Sequence, residues 1–343
     1  MAAVLALDVG SSSVRAQRFD ERAEPVGELR QEAYAGDDAE EAAAVVRRLL
    51  GGEEPDGTSC FAHSLVAVDG AWRPLTPILG WRDTRSAAAA DALRRRLDPD
   101  AVHARTGAFL HPSFWPAKLA WLAETEPEVF RRAARFVSFA DYLRREATTS
   151  LSLASTTGLL DLATCAWDAE LLDALGLDAE RLPALGDVPV WFDGACSNLG
   201  AGCSGPGRAA LMIGTSGALR LLYETGRPSP RPGLFLYLLD ERRVVEGGAL
   251  SDGGNLFAWL EETLAPVAGS LSGRDPLDHG LTFLPFLGGE RSPGWDPDAK
   301  GAVAGLTFAT TPLDLRQAAL EGVAFRFAEI ADLLPDLREV VAT

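Results

Sequence analysis

Two stretches of the chain share one pattern of apolar and polar positions. Val4-Leu5-Ala6-Leu7-Asp8-Val9 is an apolar run broken by a single acid, followed by Gly10 and the serines Ser11, Ser12 and Ser13, and then by Val14 to Phe19. Ala209-Ala210-Leu211-Met212-Ile213 repeats the plan, with Gly214-Thr215-Ser216 as the break and Gly217 to Tyr223 as the second run. Placing Gly10 on Gly214 sets Ser11 on Thr215 and Ser12 on Ser216. The spacing predicts one strand–turn–strand hairpin used twice, at the start of each of two similar domains.

Between the hairpins the pattern is mixed α/β. Gly27–Tyr34 reads as a strand, and Ala39–Leu50 as a helix with Val45, Val46, Leu49 and Leu50 on its apolar side. Ser59–Asp69 reads as strand, turn, strand and carries His63 and Ser64. Helices are predicted at Ser86–Leu97, Ala117–Glu124 and Pro127–Ala134, the last two with proline near their starts. Pro, Gly and Asp cluster at Pro183–Pro189, which places a domain boundary there and divides the chain into residues 1–187 and 188–343. In the second half, Leu234–Asp240 and Arg243–Gly247 read as paired strands, Asn255–Leu264 as a helix, Pro312–Leu334 as a long helix and Arg338–Thr343 as a strand. In open α/β sheets ligands bind beyond the carboxyl ends of strands, and here the final strand has nothing after it.

Length and composition narrow the class. The 343 residues give room for two domains of ~150 residues. An apolar fraction of 47% with 24% charged residues excludes disorder and collagen-like sequence. The net charge of −17 repels nucleic acid and anionic membranes, so neither is an expected partner. Any phosphate must then be held by local dipoles and metal. The lysines, Lys118 and Lys300, each follow alanine, which excludes a Gly-Lys-Ser/Thr phosphate loop. The four histidines are scattered, which argues against a zinc hydrolase. Cys60, Cys165, Cys196 and Cys203 form no Cys-x-x-Cys pair and read as reduced thiols of a cytoplasmic protein. No leader and no membrane span is expected.

Four constellations bear on chemistry. Glycine followed by hydroxyl residues suits a backbone that approaches phosphate closely, so the two turns read as phosphate clamps, the first headed by Asp8. Gly200-Ala201-Gly202-Cys203-Ser204-Gly205 fits the dinucleotide pattern, but it follows a mixed stretch and leads through Pro206-Gly207 into an apolar strand, so it is set aside. Trp81-Arg82-Asp83-Thr84-Arg85 places a ring, an acid and a guanidinium together, an arrangement that a capped helix start with a surface ion pair also produces. Asp193-Gly194, after Val188 to Phe192, reads by composition as a turn.

These residues together resemble the FGGY carbohydrate kinases, and especially the gluconate-kinase-like branch. The resemblance runs from Leu5 to Thr343. It rests on Asp8-x-Gly10-Ser11-Ser12-Ser13-x-Arg15, Phe61-Ala62-His63-Ser64-Leu65, Trp81-x-Asp83-x-Arg85, Asp193-Gly194-Ala195-Cys196 and Gly214-Thr215-Ser216-Gly217. Its most specific part is Gly301-x-Val303-x-Gly305-Leu306 with Asp314-Leu315 and Ala318-x-Leu320-Glu321-Gly322, preceded by Phe286 to Pro293.

The resemblance implies two ribonuclease-H-like domains of the actin and sugar-kinase type around a cleft. It implies ATP and Mg²⁺, with a small sugar, sugar acid or polyol as substrate and gluconate first. Asp193 would take the proton of the attacking hydroxyl, with Gly194 beside it, and Asp8 would hold Mg²⁺ through water with Asp193 as a further metal-side carboxylate. Gly10, Ser11, Ser12 and Ser13, with Gly214, Thr215 and Ser216, would hold phosphate oxygens. His63, Trp81, Asp83 and Arg85 would contact the sugar.

Relatives continue past a strand like Glu339–Thr343 into an adenosine motif, so the second domain is expected to be incomplete. The connections at Arg145–Thr148, Gly186–Pro189 and Pro266–Pro276 also read as short. An incomplete domain exposes apolar surface and favours self-association, hence a homodimer.

Overall fold

Both expected hairpins form. In the first, β1 (Val4–Val9) runs antiparallel to β2 (Ser13–Phe19), from Val4 opposite Phe19 to Val9 opposite Val14. The computed structural model describes residues 3–264 and 269–343. β3 (Pro25–Ala33) extends the sheet beyond β2. α1 (Ala39–Leu50) packs on both strands and buries Ala42, Ala43, Val45 and Val46. Its ends are set locally: the Asp38 side chain accepts the Glu41 N–H, and Gly51 stops the helix at φ 62°.

β4 (Gly57–Cys60) returns parallel to β1. The expected strand–turn–strand at Ser59–Asp69 forms, and its two halves join different sheets. β4 enters the main sheet, whereas β5 (Val66–Val68) pairs with a distant strand. The elements that follow are mostly helical: α2 (Ala87–Arg96), α3 (Pro99–Thr106), α4 (Trp115–Thr125) and α5 (Pro127–Arg132). β6 (Arg135–Val137) is the antiparallel partner of β5. Next come α6 (Phe139–Arg144), β7 (Thr148–Thr149), α7 (Leu151–Ser155), the ladder of β8 (Leu160–Asp161) with β9 (Ala166–Trp167), α8 (Ala169–Leu175) and β10 (Ala184–Leu185), parallel to β7. Trp115, Leu119 and Leu122 of α4 meet Leu93, Phe136, Leu159 and Leu171 in one fully buried cluster. β11 (Val190–Phe192) then completes the first sheet in the order β11-β4-β1-β2-β3, parallel to β4.

α9 (Asp193–Gly200) follows directly. The Phe192–Leu199 stretch is therefore largely helix, and the glycine pattern at Gly200–Gly205 leaves a helix instead of opening one. β12 (Arg208–Ile213) and β13 (Gly217–Glu224) form the second hairpin. β14 (Phe235–Leu238), β15 (Arg243–Leu250), α10 (Gly254–Thr263), the antiparallel pair β16 (Thr282–Leu284) and β17 (Ala302–Ala304), α11 (Pro312–Leu333) and β18 (Glu339–Ala342) follow. The second sheet has the order β14-β15-β13-β12-β18. β12 is antiparallel to β13 and parallel to β18, as β1 is to β2 and β4. Part of the expected short connection at Pro266–Pro276, namely Pro266–Ala268, lies outside the described residues.

By internal packing the chain divides into two units. The first takes everything to Ser197 with Glu224–Ser229 and Leu236–Val245; the second takes Asn198–Tyr223, Pro230–Phe235 and Glu246–Thr343. In the second unit α11 lies on the sheet so closely that a Cβ on Gly217 would meet Phe327 at 2.4 Å and one on Gly248 would meet Ile330 at 2.6 Å. α11 starts at a capping box in which Thr311 and Asp314 exchange side-chain-to-backbone bonds.

Candidate active site

Register brings the chemistry of the first unit to one edge. In the parallel strands β1, β4 and β11, Val9 lies opposite Cys60 and Cys60 opposite Phe192. Asp8 on β1 and Asp193, the residue after β11, therefore emerge from carboxyl ends of the two strands that flank β4, where ligands of such sheets bind. The strand between them supplies Ser59, whose hydroxyl donates to Asp8 Oδ1 at 2.9 Å. Arg15 on β2 donates to the other oxygen at 3.2 Å. Asp8 keeps 41% of its side-chain surface exposed, so it is oriented and still open to solvent. Asp193 Oδ1 accepts the buried Gly194 N–H at 2.8 Å.

Both carboxylates are felt by the same thiols. Burial pushes the Cys60 thiol well up, and the charges of Asp193, Asp141 and Asp8 add to it. Burial also pushes Cys196, one turn along α9, up to about 11; a Ser59 hydrogen bond opposes this, and Asp193 and Asp8 add to it. These cysteines are neutral at physiological pH and are poor nucleophiles.

The Gly10–Ser13 turn is closed by its own backbone, with the Gly10 N–H donating to the Ser13 carbonyl at 2.9 Å. Tyr34, which the sequence reading missed, straps it: the Tyr34 hydroxyl donates to the Gly10 carbonyl and its N–H to the Ser12 carbonyl. Burial, then the Cys60 and Asp8 charges, raise the Tyr34 pKa, so the donor persists. Ser11 and Ser12 are exposed at the tip.

Ser11 and Ser12 share a groove with Tyr34, Trp81, Asp83 and Arg85. Within it Arg85 grips Asp83 bidentately, Nε at 3.0 Å and Nη2 at 2.5 Å, and stacks over Trp121 at 5.2 Å. Burial raises the Asp83 pKa, but the Arg85 guanidinium and N–H outweigh it and the net shift is downward. His63 does not line this groove. It is buried, with Nδ1 donating to the Thr156 carbonyl at 2.6 Å and its ring against Phe114 and Tyr237.

In the second unit the Gly214–Ser216 turn has the same internal bond, Gly214 N–H to Ser216 carbonyl at 2.8 Å. The start of α10 clasps it: Gly254 N–H donates to the Gly214 carbonyl at 2.7 Å and Asn255 N–H to the Thr215 carbonyl at 3.1 Å. A Cβ at Gly254 would stand 2.7 Å from the Gly214 oxygen, so glycine is required there. Neither Gly254 nor Asn255 carries a sequence signal that links it to the turn; only its backbone takes part.

Among the described residues no group of three or more His, Cys, Asp or Glu side chains is arranged to hold a metal. Mg²⁺ takes one or two carboxylates and keeps waters and substrate phosphates as its remaining ligands. The hard oxygens of Asp8, held by Ser59 and open to solvent, fit that demand.

A sheet of this order, repeated around a second hairpin, with acids at the carboxyl edge of the first, defines a two-domain kinase-type fold of the actin and ribonuclease-H kind. Residues 57–189 match the N-terminal domain of the FGGY family of carbohydrate kinases, and residues 209–341 match its C-terminal domain. The chain belongs to the FGGY family of carbohydrate kinases. It is 30% identical over 311 residues to a gluconokinase of Bacillus subtilis (strain 168), covering 78% of this chain and 61% of that one. It is 34% identical over 297 residues to a glycerol kinase of Thermus brockianus, covering 76% of this chain and 60% of that one. A solved xylulose kinase from Lactobacillus acidophilus superposes with a TM-score of 0.87 at 25% identity, over all of this chain and 81% of that one. The chain thus spans about three fifths of these curated relatives. No helix among the described residues is long and apolar enough to cross a membrane.

Proposed function

We propose that the protein transfers a phosphoryl group from Mg-ATP to a hydroxyl of a small sugar, sugar acid or polyol, with gluconate the first candidate. The observation that carries this reading is the emergence of Asp8 and Asp193 from the two parallel strands that flank β4, with Ser59 of β4 between them orienting Asp8. Asp193 accepts the proton of the sugar hydroxyl as its oxygen bonds to the γ-phosphorus and the bond to the ADP oxygen breaks. Asp8 holds the water shell of Mg²⁺, which when bound neutralises charge on the transferring phosphates. The Gly10–Ser13 and Gly214–Ser216 turns are assigned to phosphate oxygens, where backbone N–H groups meet developing charge. Trp81, Asp83 and Arg85 are assigned to the sugar, with His63 fixing their neighbourhood. Gluconate is favoured by the gluconokinase relatives; xylulose and glycerol are the alternatives.

The test is ADP release from the full chain with Mg-ATP and a panel of gluconate, xylulose and glycerol. Turnover with one sugar is expected, and Asp193→Asn should lower kcat by roughly 1,000-fold with an unchanged melting temperature. Sugar binding by a folded chain with no ADP release would overturn the catalytic reading.

A further inference from the structure

The turn that carries His63 is held from beneath by a charge. Of the 32 lysines and arginines in the chain, only Lys118 and Lys300 are lysines. Lys300 is exposed, whereas Lys118 is 1% exposed, deep in α4. Its ammonium donates to the His63 carbonyl at 2.6 Å and to the Leu79 carbonyl at 3.0 Å. Leu79 exchanges backbone bonds with Leu65 at 2.9 and 3.1 Å. The ammonium therefore sits where the His63-Ser64-Leu65 turn meets the bridge-paired Leu79, which leads through Gly80 into Trp81, Asp83 and Arg85. One helical turn earlier, Trp115 Nε1 donates to the Ser64 carbonyl at 3.0 Å.

This turn needs holding. His63 has φ 65°, a left-handed conformation that a side-chain-bearing residue adopts at a cost of about 1 kcal/mol or more and keeps only when its surroundings enforce it. Its ring is fixed from other sides by Thr156, Phe114 and Tyr237. Leucine or methionine would fill the Lys118 space without the desolvation that burying an ammonium demands. Packing alone therefore does not account for a lysine here, and its charge is also felt at Asp83.

We infer that Lys118 is a positioning residue for the sugar subsite: its ammonium ties the His63 and Leu79 carbonyls together, so that the His63 ring and the Trp81–Arg85 segment keep one geometry. The kinetic consequence rests on the kinase reading above; the geometric claim does not.

The experiment joins a ring readout to kinetics on the full chain. Long-range ¹⁵N NMR of the histidines, with His63 assigned through His63→Gln, should report an Nδ1–H tautomer in the unsubstituted protein. Lys118→Met, shown folded by its melt, should give a His63 signal averaged between tautomers. Its kcat/KM for gluconate should fall about 100-fold, the loss expected of an ångström-scale displacement, while KM for ATP stays within about twofold. Lys118→Gln, which keeps a donor, should recover part of both effects. A folded Lys118→Met with the original His63 signal and sugar KM would overturn the inference. If the unsubstituted chain turns over no sugar yet Lys118→Met shifts His63, the positioning role stands and the kinase reading falls. If Lys118→Met does not fold, Lys118→Gln gives the same readout; failure of both to fold would make Lys118 a stability residue and overturn the inference.

Discussion

Asp252 carries its proton further up the pH scale than a free aspartate. It is 3% exposed, with Oδ1 lacking a hydrogen-bond partner among the described residues. Burial raises its pKa from 3.8 to about 6, against the Gly288 and Leu287 N–H groups. Between these values the folded state keeps a proton that the unfolded state has lost. Its contribution to stability is therefore full below about pH 4 and falls as pH rises to about 6. Asn cannot ionise, so Asp252→Asn should match the parent melting temperature near pH 4 and exceed it by roughly 3 °C at pH 7.5. Thermal melts at the two pH values check this, and an equal shift at both would contradict it. Side chains at this level were unevenly legible. Asp8, Asp193 and Arg85 stand in recognisable motifs, whereas Ser59, Tyr34 and Lys118 act through partners 51, 24 and 55 residues away, beyond what local spacing encodes.

The second turn depends on a helix start that has no side chain to offer. Gly254→Ala puts a methyl group 2.7 Å from the Gly214 oxygen, closer than van der Waals contact allows, so the turn must shift. If that turn holds phosphate, KM for ATP should rise about tenfold or more, with KM for gluconate unchanged. Steady-state kinetics with each substrate varied separately checks this. The hairpins themselves were legible because each is closed by neighbours in the chain: an apolar run, a glycine with hydroxyls, a second run. α11 was legible for a local reason too, the proline at its start. At Ser59–Asp69 the two strands were legible but their partners were not, because two short apolar runs look the same whether they pair with each other or with β1 and β6. α9 was missed because its Asp-Gly start and glycine end resemble a turn.

The formal charge of −17 opposes every anion that approaches, Mg-ATP included. Screening shortens that field from about 30 Å at 0.01 M salt to about 8 Å at 0.15 M. KM for ATP should accordingly fall as KCl rises over this range, while KM for glycerol, an uncharged acceptor, should not. A rising KM for ATP would mean that local cationic contacts dominate. The two-unit plan was legible from the repeated hairpin. The pairing order of the sheets was not, since β11 reaches β4 across more than a hundred residues and no local pattern records that meeting.

The scarcity of lysine turns the His63 turn into something that can be watched. An amine-directed acylating reagent finds Lys300 on the surface and is denied Lys118 while α4 stays seated. Peptide mass spectrometry of acylated protein would therefore count openings of that one region, since each modified Lys118 records a moment when the ammonium had let go of its carbonyls. Added sugar should slow the appearance of that mark and leave the rate at Lys300 as it was.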